Sequence, residues 1–269
     1  MFSLLSGSKK INGETKNIKM KNAAHHQRIL SIDIGGTFIK ATVLNQEGTL
    51  LKDYEKIKTP HSASPEKVLE AIQNLVKGFQ NYDMVSVGFP GYIKKGVVFT
   101  APNLGTDLWK GVNLNKLLTS ILNKPVRIVN DADMQGLGVV SEKGLEMVIT
   151  LGTGFGTALL MDGHLLPHLE LAHHPVTKSK TYDDYIGDEA LNNIGEEKWN
   201  KRMEKVLSVL KTVFNYDRLY IGGGNSGKLN FKLDKNIKII TNEDGIKGGA
   251  RLWQLDENLF IKSHNSSHK

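Results

Sequence analysis

Residues 31–40 read SIDIGGTFIK. An apolar strand ends on a carboxylate, Asp33, meets two adjacent glycines, Gly35 and Gly36, and resumes after Thr37 as a second apolar run. Glycine adopts positive φ at little cost and carries no side chain. A turn built this way either bends a hairpin or lets a phosphate approach bare backbone N–H groups. Asp33 admits two readings as well. It is a turn or cap aspartate, or it faces a phosphate across Mg²⁺ and its water, since the two anions otherwise repel.

Working outward, RILSIDIGG, TFIKATVLN and TLLKDYEKIKT read as three strands, with QEG as the turn into the third. SPEKVLEAIQNLVKGFQ reads as a helix. Ser64 caps it, Pro65 opens it, and Val68, Leu69, Ile72, Leu75, Val76 and Phe79 share one face. MVSVGFPG follows as a buried strand, VNLNKLLTSIL as a short helix and VRIVN as a strand ending at Asn130. The pattern then starts again. EMVITLG and GTALLMDG are a second glycine-joined strand pair, and EEKWNKRMEKVLSVLKTVFN is a long helix. Its apolar stripe is Trp199, Met203, Val206, Leu207, Leu210, Val213 and Phe214. DRLYIGGG and IKIIT are strands, and GIKGGARLW is a last helix. Two halves with one element order imply a duplicated α/β unit whose cleft is a natural ligand site. The expected division is a polar extension over 1–27, lobes over 28–130 and 131–260, and a polar tail over 261–269.

Composition agrees with that size. A chain of 269 residues accommodates one large domain or two lobes. With 39% hydrophobic and 23% charged residues it reads as soluble and globular, and no apolar run approaches the roughly 18 residues of a membrane span. The opening MFSLL is too short for the apolar core of a leader, so a cytoplasmic location is the expectation. The absence of cysteine excludes disulfides, thiolate metal sites and cysteine nucleophiles. A net charge of +7 suits a polyanion, yet the lysines are dispersed and no basic-aromatic motif for nucleic acid is present.

Three strand ends enter glycine turns: DIGGT at 33–37, LGTGFGT at 151–157 and IGGGNSG at 221–227. None has the Walker lysine-serine ending or the dinucleotide fingerprint opening a helix. Their recurrence favours anion nests over three unrelated bends. The candidate phosphate holders are Asp33, Gly35, Gly36, Thr37, Lys40, Gly152, Thr153, Gly154, Gly222, Gly223 and Gly224. Lys40 has two open readings, on the phosphates or in solvent. NDAD at 130–133 also has two, a helix-capping run or a base at a strand end.

The motifs DIGGTFIK, GFPG, APNL…W, VNDAD, LGTGFGTALL, ELAHH and IGGG, in that order, resemble the ROK family of sugar kinases over roughly residues 28–255. Within it, the branch that uses polyphosphate on glucose is the most similar. The resemblance implies an actin-like, ribonuclease H-like duplicated two-lobe fold. It also implies transfer of a terminal phosphoryl group to the C6 hydroxyl of a hexose, with Mg²⁺ and a homodimeric assembly. By the same resemblance Asp131 is the catalytic base. Asn103, Asn130, Glu170, His173 and Asp183 hold the sugar, and Asp33 meets Mg²⁺ through water.

Three departures qualify it. The zinc cysteines of many members are missing, so no zinc is expected, and neighbouring His173 and His174 alone make a weak metal site. Ala172 stands where the family box has glycine. Asp183 stands where a glutamate is usual, which moves its carboxylate by about 1.5 Å. Polyphosphate ranks ahead of ATP as donor. The competing readings are an ATP-dependent kinase for another hexose, a non-catalytic sugar-binding regulator and an actin-like filament protein. The stretch before Asp33 lacks the helical period of a DNA-binding helix-turn-helix.

Overall fold

The computed structural model describes residues 27–256. The proposed extension, except its last residue, and the proposed tail lie outside the described residues. In chain order the first half comprises β1 (Ile29–Ile34), β2 (Phe38–Leu44), β3 (Glu55–Lys58), α1 (Pro65–Val76), β4 (Met84–Phe89), β5 (Ile93–Lys94), β6 (Val97–Val98), α2 (Thr106–Trp109), α3 (Leu114–Leu122) and β7 (Val126–Asn130). The second comprises α4 (Asp131–Val139), β8 (Leu145–Leu151), β9 (Phe155–Met161), β10 (His164–Leu165), α5 (Tyr182–Ile186), α6 (Asp188–Ile194), α7 (Glu196–Phe214), β11 (Arg218–Gly222), β12 (Ile237–Ile239), α8 (Asn242–Ile246) and α9 (Gly248–Arg251).

The duplication is explicit in the sheets. Their orders are β3-β2-β1-β4-β7 and β10-β9-β8-β11-β12. In each, the first three strands in sequence are antiparallel, and the first also pairs in parallel with the fourth, which pairs with the fifth. This is the actin-like two-lobe α/β architecture. Strand β4 is buried at every residue, as a central parallel strand covered on both faces must be.

Local chemistry sets the helix ends. Ser64 accepts from Lys67 N and Pro65 opens α1. Helices α3 and α7 stop at Asn123 and Asn215, both left-handed, with φ of 49° and 50°. Thr181 and Asp184 form a reciprocal capping box on α5. Each sheet carries its own apolar core, the first centred on Leu30, Val87 and Trp109, the second on Ile149, Trp199 and Leu210.

Several sequence expectations need correction. Of TLLKDYEKIKT only residues 55–58 pair as a strand, because the preceding polar residues are exposed and cover no core. Val213 leaves the apolar stripe of α7 and is 63% exposed, near the helix's C-terminal end. GIKGGARLW is not one helix but α8, α9 and a 3-10 turn over Leu252–Gln254. The cause is close packing: a Cβ on Gly248 would strike the Met134 carbonyl, and one on Gly249 would strike Ser31 and Ser86.

Those last helices return to the first sheet. Ser31 Oγ donates to Ile246 O at 2.9 Å, and Ser86 Oγ donates to Gly249 O. Helix α4 lies beneath them and also packs on β4, β8 and β9, so it joins the two halves. Among the described residues no helix is long and apolar enough to cross a membrane.

Candidate active site

A cleft of about 560 Å³ opens where the two sheets present their glycine turns. Its walls bring together Asp33, Gly35, Gly36, Thr37, Lys40, Asn103, Asn130, Asp131, Gly152, Thr153, Gly154, Glu170, Asp183, Gly223 and Gly224. These residues span most of the described chain, so only the fold assembles them.

The first wall is the β1–β2 turn. Gly35 N donates to Phe38 O at 2.9 Å, closing the hairpin, and Thr59 Oγ1 donates to Gly35 O at 2.6 Å. Gly36 and Thr37 are exposed to the cleft, and a Cβ on Gly36 would lie 3.2 Å from Asn103 Cβ. The turn therefore bends the chain and leaves open space in front of it. Positive φ is not the reason for most of these glycines. Among the candidate phosphate holders only Gly223 has it, at +87°. In the first two turns glycine supplies room rather than handedness.

Lys40 resolves to a third position, neither free in solvent nor alone in the cleft. Register places it opposite Asp33, and its Nζ lies 3.3 Å from Asp33 Oδ2 with both side chains under one-fifth exposed. Gly88 of β4, absent from the candidate set, keeps the floor thin. A Cβ there would lie 2.8 Å from Met134 Cε, 3.3 Å from Asp131 Cα and 3.6 Å from Asp33 Oδ1. The aspartates at 33 and 131 thus approach one another around an empty side-chain position.

The capping reading of NDAD holds for Asn130, while Asp131 faces the cleft. Asn130 caps α4, its Oδ1 accepting from Ala132 N at 2.8 Å, while its Nδ2 donates to Gly91 O at 3.2 Å. Its amide is thereby engaged with backbone. Asp131 is the first residue of the helix and lines the cleft. Burial and the charge of Asp33 push its pKa up to about 7, against the Ala132 N–H and the positive charge of His168, which pull it down. A carboxylate so tuned can exchange a proton near neutral pH.

Glu170 accepts from Thr100 Oγ1 at 2.9 Å. Burial alone would raise its pKa, but the neighbouring His168, 3.7 Å away, and the Thr100 hydrogen bond outweigh it and hold the carboxyl below the usual range. His173 stands apart from the other candidates. Its side chain is half exposed, does not line the cleft, and sits 3.6 Å from Glu170 Oε2 because the turn over Leu171–His173 swings it outward. Gly222 also stands apart, because it is interior. A Cβ there would crowd Gln135 Oε1 at 3.0 Å and Ile240 at 3.2 Å, so it serves packing. Asp183 lines the cleft and accepts from Phe155 N at 2.6 Å, which braces the second glycine turn. Burial raises its pKa.

His168 was not a candidate from sequence. It is nine-tenths buried, its Nδ1 lying 3.0 Å from Asp133 Oδ2 and its Nε2 3.7 Å from Glu170 Oε1. Its ring stacks on Tyr92 at 5.9 Å. Alternation along PHLE, with His168 and Glu170 two apart, was the available signal.

Among the described residues no cluster of three or more His, Asp or Glu side chains could hold a metal by itself. The donor set nevertheless fits a mostly hydrated Mg²⁺. The mutual repulsion of Asp33 and Asp131 is what a divalent cation relieves, and Mg²⁺ needs few protein oxygens.

Comparison with known proteins completes the picture. The ROK family model matches residues 29–170. The polyphosphate glucokinase of Mycobacterium tuberculosis (strain CDC 1551 / Oshkosh) is 31% identical over 228 residues, covering 81% of this chain and 84% of that protein. A crystal structure of the inorganic polyphosphate/ATP-glucomannokinase of Arthrobacter sp. strain KM superposes with a TM-score of 0.78 at 31% identity, over 85% of this chain and 99% of that one. The ROK family glucokinase of Streptomyces griseus, in complex with glucose and AMPPNP, gives a TM-score of 0.71 at 20% identity, over 84% and 98%. It supports the fold alone. With its duplicated sheets, its cleft and these relatives in agreement, the chain belongs to the ROK family.

Proposed function

We propose that the protein is a glucose kinase that transfers the terminal phosphoryl group of polyphosphate, or of ATP, to the C6 hydroxyl. The observation that carries the reading is Asp131, set at the cleft floor between two glycine turns with its pKa near 7. Relatives named for polyphosphate and glucose point the same way.

In this reading the sugar lies against Asn103, Glu170 and Asp183, whose mixed donors and acceptors suit alternating hydroxyls. Asn130 shapes that subsite through its caps rather than through a free amide. His173 supports Glu170 from outside. The C6 oxygen attacks the terminal phosphorus as its proton passes to an Asp131 carboxylate oxygen. The bond from phosphorus to the bridging oxygen breaks, and the shortened donor leaves with that electron pair. Catalysis of this kind is mostly positioning and charge stabilisation. Gly36, Thr37, Thr153 and Gly154 offer backbone and hydroxyl donors to the donor phosphates, while the Gly152 N–H closes its turn on Gly154 O at 3.1 Å. Asp33 would hold Mg²⁺ through water, and the ion would neutralise charge developing on the phosphates. Lys56 and Lys228, with Lys40 paired to Asp33, line the same cleft and support a polyanionic donor, and in this reading polyphosphate ranks ahead of ATP.

A coupled assay tests this: glucose, mannose and N-acetylglucosamine, each with ATP and with polyphosphate. Glucose turnover, faster with polyphosphate, is the expected result. No hexose phosphorylated with either donor overturns the reading.

A further inference from the structure

We propose that His168 is a positioning residue, clasping Asp133 on the base-bearing helix to Glu170 on the sugar side of the cleft. The inference rests on the hexose kinase reading and adds a residue to its machinery. His168 is not among the residues that line the cleft. It acts through its two neighbours.

The geometry has two halves. On one side, Nδ1 meets Asp133 Oδ2 at 3.0 Å. Asp133 is the third residue of α4, two after Asp131, so this contact fixes the first turn that carries the base. On the other side, Nε2 faces Glu170 Oε1 at 3.7 Å, the same oxygen that accepts from Thr100. The Tyr92 ring, stacked at 5.9 Å and 12°, prevents the imidazole from turning away.

Charge accounting explains why a histidine is placed here. Asp131, Asp133 and Glu170 gather around the ring, with Tyr92 and His173 at the edge. Buried carboxylates are costly unless paired. Asp133 Oδ1 has no hydrogen-bond partner among the described residues, so His168 is the contact that compensates this carboxylate. Burial would lower the histidine's pKa. The hydrogen bonds and charges of Asp133 and Glu170 outweigh it and raise the pKa to about 10. An imidazolium carries an N–H on both nitrogens, one bonded to Asp133 and the other directed at Glu170 3.7 Å away as an ion pair. A neutral ring could serve only one of them.

The functional consequence follows from tolerance. Displacing a positioned group by about 1 Å costs on the order of 10² in rate. Without the clasp, Glu170 keeps Thr100 but loses its cation, and α4 loses its link to the sugar side.

The test compares wild type, His168→Leu and His168→Gln in the full chain, using glucose and polyphosphate. The expected result for His168→Leu is a hexose KM raised about tenfold and kcat/KM for hexose lowered about 10², with donor KM unchanged within twofold. His168→Gln, which keeps a donor without the charge, should recover part of the loss. A purely structural role would reduce the folded fraction, and so kcat, without moving hexose KM. That outcome, or equal effects on both KM values, overturns the proposal. Nitrogen-15 NMR of the imidazole in the unsubstituted protein covers the case of misfolding variants. Both ring nitrogens should remain protonated at pH 8, and a neutral tautomer there also overturns the proposal. A wild type inactive on every hexose would instead sink the kinase reading, which the NMR signal does not depend on.

Discussion

At the scale of single residues, Asp131, the proposed base, also carries a cost to the fold. Its native pKa near 7 lies above the roughly 3.9 of an unfolded aspartate. Between those values the native state binds the extra proton, so ionising Asp131 destabilises the fold as pH rises from about 4 to 7. The cost is fully present above 7, where the ionised base is needed. Asp131→Asn should therefore reduce turnover by 10² to 10⁴, roughly the worth of a positioned acid–base group. It should also raise Tm more at pH 8 than at pH 5, measurable by calorimetry at the two pH values. Near-normal turnover would remove Asp131 as the base. In the unsubstituted enzyme, kcat/KM should rise with pH along a limb centred near 7, since that ratio reports the free enzyme's groups. A flat profile from pH 5.5 to 8.5 would contradict the assignment. The Asn130 cap and the cleft position of Asp131 were legible in NDAD. His168 was not, because its significance lies in two contacts 35 residues apart and two apart, only one of which is local.

Elements were readable in proportion to their amphipathicity. Helices α1 and α7 have one apolar stripe and clear ends, and the sequence places both well. Helix α4 is packed between both sheets and the C-terminal helices, with five of its nine residues buried, and so lacks the period that reveals a surface helix. Helices α5 and α6 are short and polar, although Thr181 and Asp184 carried a capping signal. The glycine turns were found for a partly mistaken reason, since space rather than positive φ is what the first two supply. Gly36 tests that distinction. A valine there would press on Asn103, beside the proposed sugar subsite, and fill the space before the turn's N–H groups. The expected outcome of Gly36→Val is a higher KM for the donor and, through Asn103, for the hexose as well, with fold retained by circular dichroism. Unchanged values of both constants would show that the turn is structural.

Over the whole molecule the duplication was visible in the repeated strand-glycine-strand, helix, strand order, and the two sheets reproduce it strand for strand. What the sequence concealed is the return of residues 242–254 to the first sheet. That segment has no period, and its closest approaches are made at Gly248 and Gly249, beside the contacts of Ala250, Leu252 and Trp253. Gly249 lies against Ser31 and Ser86 of two neighbouring strands, where an added Cβ would sit 2.9 Å from Ser31 Cβ and 3.1 Å from Ser86 Cβ. Neither the strands nor α9, held by Ser86 Oγ, can retreat without breaking ladder or cap contacts. Overpacking of a tight site costs about 1–3 kcal/mol, and each kcal/mol lowers Tm by roughly 2–4 °C at this chain length. Gly249→Ala should therefore lower Tm by roughly 2–12 °C. Ser31→Ala removes the hydroxyl nearest the new methyl but also the bond to Ile246 O, so alone it is destabilising. Combined with Gly249→Ala it should cost less than the sum of the two, because residues in contact couple. Strict additivity in thermal melts of the four proteins would mean that α9 does not seat on β1 through this contact, and that its hold on the first sheet comes from β4 through Ser86 and from apolar packing.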